Sequence, residues 1–326
     1  MEIFLQTFKA TLAAIAPVFI IIILAGLLVR RKIISQDNVK AFARLTVTVL
    51  LPCLMISKIT NKFKPGSMPG WWLLPLVSAG MIFVGILLAW FFFRKGFARR
   101  KNMAALCSIQ NSIYFILAVG SSLYSGAELD SFVLYTFLFA LSSSPLIWSL
   151  GKYMATDSHE HFKWRSLLTP PLISNLTALL IVFLNLRSCV PVSLESSLDV
   201  INKTISMIGQ AATPMANIVL GATLGGLSLK LKPYRLDAAK VIAVKLILLP
   251  AITIAVLYFT KIGQSNPILA KFLILEAAVA PASAIIMQIR HYGGDEQKVS
   301  SIMLLSYIVS IITIPTWMAL WQLTAG

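Results

Sequence analysis

Apolar residues gather into runs of about twenty along this chain, separated by short polar connections, and each run is long enough to cross a bilayer as a helix. Ten runs stand out, near 11 to 29, 40 to 60, 71 to 93, 103 to 123, 129 to 150, 168 to 186, 204 to 227, 239 to 260, 268 to 290 and 300 to 323. The longest connection, Gly151 to Leu167, leaves no room for an appended soluble domain. The pattern predicts an all-α polytopic membrane protein of ten transmembrane helices. The first run is too long for the core of a cleaved signal peptide, so it is read as the first span.

Two runs carry residues that a spanning helix normally avoids. In the ninth, Leu275 to Gly294, Glu276 precedes Pro281, and Ser283 and Gln288 follow. Proline removes a backbone hydrogen bond and clashes with the preceding turn, so a break is expected near residue 281. Freed backbone groups at membrane depth are tolerated only where protein or a water-lined cavity receives them. In the fourth run, Gln110 and Asn111 lie side by side midway along the span. Two carboxamides there must face protein or a cavity, as helix-to-helix glue or as part of a site.

Composition narrows the class. With 58% hydrophobic residues, 12% charged residues and a mean hydropathy of +0.83, the chain is built for a bilayer. A net charge of +16 raises the question of nucleic acid, but the 28 Lys and Arg sit between apolar runs instead of along one basic face. Nineteen of them fall on alternate connections and eight on the opposite side, with Lys245 inside a span. The positive-inside rule then places both termini outside the cytoplasm, in a multi-pass plasma or inner membrane protein. Cys53, Cys107 and Cys189 are too few and too scattered for a disulfide framework or a zinc site.

Ten spans divide into five and five, residues 1–150 and 168–326, joined by a central cytoplasmic loop over 151–167. An odd-numbered repeat must insert upside down relative to its partner. Tyr124-Ser-Gly-Ala-Glu128 leads into a span with Pro145 and Trp148, and Tyr292-Gly-Gly-Asp-Glu296 into one with Pro315 and Trp317. The glycine-to-proline spacing is 19 residues from Gly126 and 21 from Gly294. Inverted repeats of this kind point to a secondary transporter with its site at the repeat interface.

The stretch from Ala280 to Leu320, APASAIIMQIRHYGGDEQKVSSIMLLSYIVSIITIPTWMAL, resembles the closing region of the auxin efflux carrier family, which includes bacterial dicarboxylate permease-like members and plant PIN proteins. Leu51 to Ile59 and Thr213 to Gly226 are similar to further stretches of that family. The resemblance implies a sodium/proton-antiporter-like fold, with broken fourth and ninth spans crossing at mid-membrane. It further implies an elevator motion of spans 3–5 and 8–10 against a scaffold of spans 1, 2, 6 and 7, and a homodimer through the scaffold. Carried over by residue, the crossover asparagine is Asn111 and the crossover proline Pro281. The family often has a second proline seven residues after the asparagine, where this chain has Ala118, so unwinding would rest on Asn111, Ser112 and Gly120.

Broken helices meeting tip to tip expose amides at half-helix N-termini, which suit a carboxylate. The candidate binding set is therefore Gln110, Asn111, Ser112, Pro281, Ala282 and Ser283, with a small organic anion as solute. Glu276 is the one acid deep in a span. It is read either as the residue coupling transport to a proton or sodium ion or as a structural partner of Lys245. Lys245, five residues beyond Lys240, is expected to snorkel to the cytoplasmic surface. Pro214 and Pro250 read as local kinks and Asn217 as interhelical glue. His159 and His161 around Glu160, and His291 at a span end, make no convincing metal site, and no cofactor is expected. Deep nucleophiles lack an activating His and Asp, and no Walker-type loop is present, so neither an enzyme nor an ATP-driven pump is expected. A solute-binding membrane sensor and a cation antiporter are the competing readings. The expected partners are the solute and the bilayer, with no nucleic acid.

Overall fold

The structure is a computed structural model that describes residues 1–68, 70–94, 97–155, 167–227 and 232–325. His159, Glu160 and His161, with nearly all of the central loop, lie outside the described residues.

Among the described residues, seven helices are long and apolar enough to cross a membrane. They are α1 (Glu2–Arg30), α2 (Gln36–Lys62), α3 (Leu73–Phe93), α6 (Gly126–Ala155), α8 (Ser193–Gly225), α9 (Lys232–Thr260) and α12 (Glu296–Ala325). Shorter helices lie between them, among them α4 (Lys101–Ser108), α5 (Tyr114–Leu123), α7 (Pro170–Phe183), α10 (Pro267–Ala278) and α11 (Ala284–Tyr292). This is a polytopic membrane protein. Its outer surface carries large apolar side chains such as Leu76, Phe83, Phe91 and Phe259, which a water-facing surface would not sustain as a continuous band.

Several helices outrun the apolar stretches that predict them. α1 begins at Glu2 instead of residue 11, and α8 at Ser193 instead of residue 204. Hydropathy marks the part of a helix that needs lipid, whereas backbone hydrogen bonding carries the helix on through polar turns such as Ser193 to Lys203.

Pro250 is accommodated without a break. A wide turn over Ala243–Leu248 precedes it, and the Leu246 carbonyl, four residues before the proline and so deprived of its usual donor, accepts from Trp317 Nε1 at 2.8 Å. This bond ties α9 to α12.

α1 and α8 meet backbone to backbone. A Cβ built on Gly221 would lie 2.4 Å from the Ile22 carbonyl oxygen, and one on Gly225 would lie 2.3 Å from Gly26 Cα. Glycines four apart present a flat strip that lets two helices approach to van der Waals contact in lipid, where packing replaces the hydrophobic effect as the driving force.

Candidate functional site

Two helical passes are interrupted at the centre of the molecule, between α4 and α5 and between α10 and α11. At the second interruption, Pro281 offers no N–H, and proline biases the residue before it away from the helical region. α10 accordingly ends at Ala278, followed by Val279 in an extended conformation. At the first interruption no proline acts. Gln110, Asn111 and Ser112 supply polar side chains that compete with helical hydrogen bonding, and Ile109 is extended.

The two interruptions satisfy each other. Asn111 N donates to the Ala280 carbonyl at 3.2 Å and Ala282 N to the Ile109 carbonyl at 3.0 Å, giving a single antiparallel bridge centred on Gln110 and Pro281. An unpaired backbone group at this depth would cost several kcal/mol (about 2–7), so each break depends on the other. Tyr307 of α12 locks the pair. Its hydroxyl accepts from Asn111 Nδ2 at 2.7 Å and donates to the Pro281 carbonyl at 3.0 Å.

The polarity of this junction follows from chain direction. α4 and α10 run into it with their C-termini, and α5 and α11 leave it from their N-termini. An N-terminus carries about half a positive charge and a C-terminus about half a negative one. One side of the crossing is therefore suited to an anion and the other to a cation.

A cavity of about 100 Å³ lies on the N-terminal side. Its walls include Gln110, Asn111, Ser112, Ile113 and Tyr114 from the first break, and Ala282, Ser283 and Ala284 from the second. Of the six residues expected to form the site, five line this cavity, and Pro281 is buried in the backbone bridge behind it. Gln110 Nε2 and Ser112 Oγ are buried without a hydrogen-bond partner. The volume is below the roughly 300–1,000 Å³ of drug-sized ligand pockets, so in this conformation it accommodates a carboxylate group and not an entire aromatic acid.

Residues outside the expected set complete the walls. Val47 and Leu51 come from α2, Ser143, Ser144, Ile147 and Trp148 from α6, Thr169 and Pro171 from the start of α7, and Met287 from α11. The Ser142-Ser143-Ser144 run within an apolar helix was the available signal for the α6 group. Gln288, polar in the ninth run, turns away and donates to the Ile147 carbonyl at 2.9 Å. Asn217 is buried on α8 and is not among the residues lining the cavity.

Two expectations are corrected. Gly120 takes no part in unwinding: it lies within α5, and a Cβ there would meet the Phe132 ring at 2.3 Å, so its role is to seat that ring. Ala118 is likewise mid-helix, and the break falls earlier, at residues 109–113. Nor does Lys245 snorkel. It is 0% exposed, and its Nζ reaches the Ala277 carbonyl in the last turn of α10 at 3.4 Å. The wide turn at Ala243–Leu248 places it against α4 and α10, where the C-terminal ends hold the charge that a snorkelling lysine would seek at the surface.

Glu276, also 0% exposed, is the one buried carboxylate among the described residues. Neither of its oxygens closes a hydrogen bond, although the Ser112 hydroxyl and the Lys245 ammonium are both within electrostatic reach. His291 is exposed at the end of α11 against Tyr292, and no group of three metal-ligating side chains occurs among the described residues.

Comparison with known proteins identifies the family. Residues 10–163 and 140–318 match the family model described as Membrane transport protein. The chain is 20% identical to Protein PIN-LIKES 7 of Arabidopsis thaliana over an alignment 391 positions long, covering 96% of this chain and 97% of that one. Protein PIN-LIKES 3 of the same plant is 23% identical over 179 residues, 52% of this chain and 44% of that one. With a family match across most of its length, the chain belongs to the membrane transport protein family, the auxin efflux carriers that its closing region resembles.

Proposed function

We propose that this chain is a secondary or facilitative transporter of a small organic anion, an auxin-like or dicarboxylate-like acid, bound by its carboxylate at the crossing of the two broken helices. The observation that carries the reading is the mutual backbone pairing of residues 109–111 with 280–282, which holds the N-termini of α5 and α11 on one cavity. Two half-helix N-termini together offer about one positive charge without a basic side chain. Asn111 Nδ2 and Gln110 Nε2 supply directed donors, and Ser283 opens α11 beside them.

Taking α4 with α5 and α10 with α11 as one pass each, and α7 as a short pass, gives ten passes in two inverted sets of five. In this reading α3 to α6 and α9 to α12 move as an elevator against a scaffold of α1, α2, α7 and α8. The glycine-tight contact of α1 with α8 supports a rigid scaffold, and a homodimer would form through the scaffold. The cationic connections favour a cytoplasmic or inner membrane with both termini outside. A cation antiporter is less well supported, since such sites usually need paired deep carboxylates and only Glu276 is buried among the described residues.

Counterflow in reconstituted vesicles tests the reading. Vesicles preloaded with an unlabelled carboxylic acid are expected to accumulate the labelled acid saturably, for at least one member of a panel of indole-3-acetate, benzoate, malate and succinate. Absence of protein-dependent counterflow and of saturable binding for all such mono- and dicarboxylates would remove the proposal.

A further inference from the structure

A recess of about 400 Å³ between α1, α8 and α12 takes no part in the anion site. It lies where α1 and α8 close on each other at Gly26, Gly221 and Gly225, whose missing side chains leave room beside α12. Phe19, Leu224 and Tyr307 are buried at its base, whereas Ile23, Leu27 and Ile308, between 44% and 55% exposed, form a rim open to the bilayer. Among the described residues that line it, Arg30 alone is charged. The other polar side chain, the Tyr307 hydroxyl, is already committed to Asn111 and Pro281. A polar solute would find nothing along the trough to orient it, but a hydrocarbon chain needs no such group.

We infer that this trough binds one anionic phospholipid, with an acyl chain laid along α1 from Leu27 to Phe19 and the phosphate on the Arg30 guanidinium. Length, charge and donor geometry carry this. Phe19 and Arg30 lie eleven residues apart on α1, a rise of about 16 Å, which matches the roughly 15 Å of hydrocarbon in one leaflet. The charged end therefore falls at headgroup level and the apolar end at the depth of the crossing. Arg30 Nε donates to the Gly225 carbonyl at 3.2 Å, which fixes the guanidinium at the mouth and leaves its remaining N–H groups for phosphate oxygens. Arg31 and Lys32, both exposed, follow directly and favour an anionic headgroup over a zwitterionic one. The chain end would rest on the Tyr307 ring, whose hydroxyl ties the two breaks together. If α12 moves against α1 and α8 during transport, this lipid fills the seam between them; that consequence alone rests on the transport reading.

Lipid occupancy is measurable on protein that moves nothing, so failed counterflow leaves it standing. The probe is a phosphatidylglycerol with a diazirine at the end of one acyl chain, added in trace to wild-type protein in phosphatidylcholine nanodiscs. After illumination, labelling is expected to concentrate on α1 around Phe19 and on α12 over Leu304 to Ile311. Unlabelled phosphatidylglycerol should suppress it, and neither added phosphatidylcholine with the same chains nor glycerol phosphate should. Arg30→Gln is expected to lower the trough labelling about fivefold, the effect of one cation near the membrane surface. Ile308→Trp, which fills the trough without touching Arg30, should abolish the label on α1 and leave that near Phe83 and Phe259 unchanged. Labelling spread evenly over the lipid-facing helices would mean annular lipid only and overturn the inference. Equal suppression by phosphatidylcholine, suppression by glycerol phosphate or indole-3-acetate, or unchanged trough labelling in either variant would overturn it too. The wild-type map and its competitors decide the matter even where a variant is not recovered.

Discussion

Asn111→Ala is expected to lower carboxylate uptake at least about tenfold, and at most about a hundredfold, while leaving the yield and elution volume of the purified protein near those of wild type. The asymmetry comes from the geometry. One Nδ2 hydrogen is spent on the Tyr307 hydroxyl at 2.7 Å, which itself keeps the Pro281 carbonyl as acceptor when the carboxamide is gone. Loss of that bond costs stability on the order of 1 kcal/mol. The backbone bond from Asn111 N to Ala280 does not involve the side chain and survives. What is lost entirely is a donor directed into the anion cavity, and a hydrogen bond to a charged partner contributes about 1.5–3 kcal/mol. Tyr307→Phe separates the two roles. It removes the bridge between the breaks but leaves the carboxamide, so its effect on uptake is expected to be smaller than that of Asn111→Ala. Initial rates in vesicles normalised to reconstituted protein decide the matter, and equal rates for Asn111→Ala and wild type would sink the role given to the side chain.

Gly225→Val should fail at the level of folding instead of flux. Its Cβ would stand 2.3 Å from Gly26 Cα and 2.4 Å from the Gly26 carbonyl oxygen, both backbone atoms of a packed helix. Rotamer change cannot relieve such a contact, so α1 and α8 must separate along a strip that includes the equally close Gly221. Overpacking costs about 1–3 kcal/mol when side chains can yield, and more when they cannot. The expected result is a Tm at least about 10 °C below wild type, or recovery below about one tenth of its level, read by fluorescence-detected size exclusion after heating. Gly80→Ala is the control. No atom lies within 4 Å of its added Cβ, and it should be neutral. A Gly225→Val protein as stable as that control would contradict the close α1–α8 contact.

The sequence announces the ends of this site better than its walls. Pro281 is legible because a missing N–H is a property of the residue itself, and Gln110 with Asn111 because carboxamides in an apolar run have no cheap alternative. Tyr307 is not legible: it sits in an ordinary apolar helix and matters only because α12 brings its hydroxyl within reach of two breaks that are each remote in sequence. Lys245 is illegible for a related reason. Proximity to Lys240 along the chain suggested escape to the surface, whereas a wide helical turn and two converging C-termini turn it inward. The half-helices are also hidden from hydropathy. α4 and α11, of 8 and 9 residues, are too short to register alone, so an averaged window reads each interrupted pass as one continuous run.

The central claim is that the anion's carboxylate sits between the N-termini of α5 and α11. Ser283→Cys tests it most directly, in a background where Cys53 and Cys189 are replaced by serine and only the buried Cys107 remains. Ser283 lines the cavity at the start of α11, so a small thiol reagent should modify the new cysteine slowly from water. Saturating amounts of a transported carboxylate are predicted to slow that reaction at least about fivefold, with a half-effect concentration matching the KM of uptake. Saturable uptake accompanied by an unchanged modification rate at Ser283→Cys would place the solute elsewhere and contradict the account.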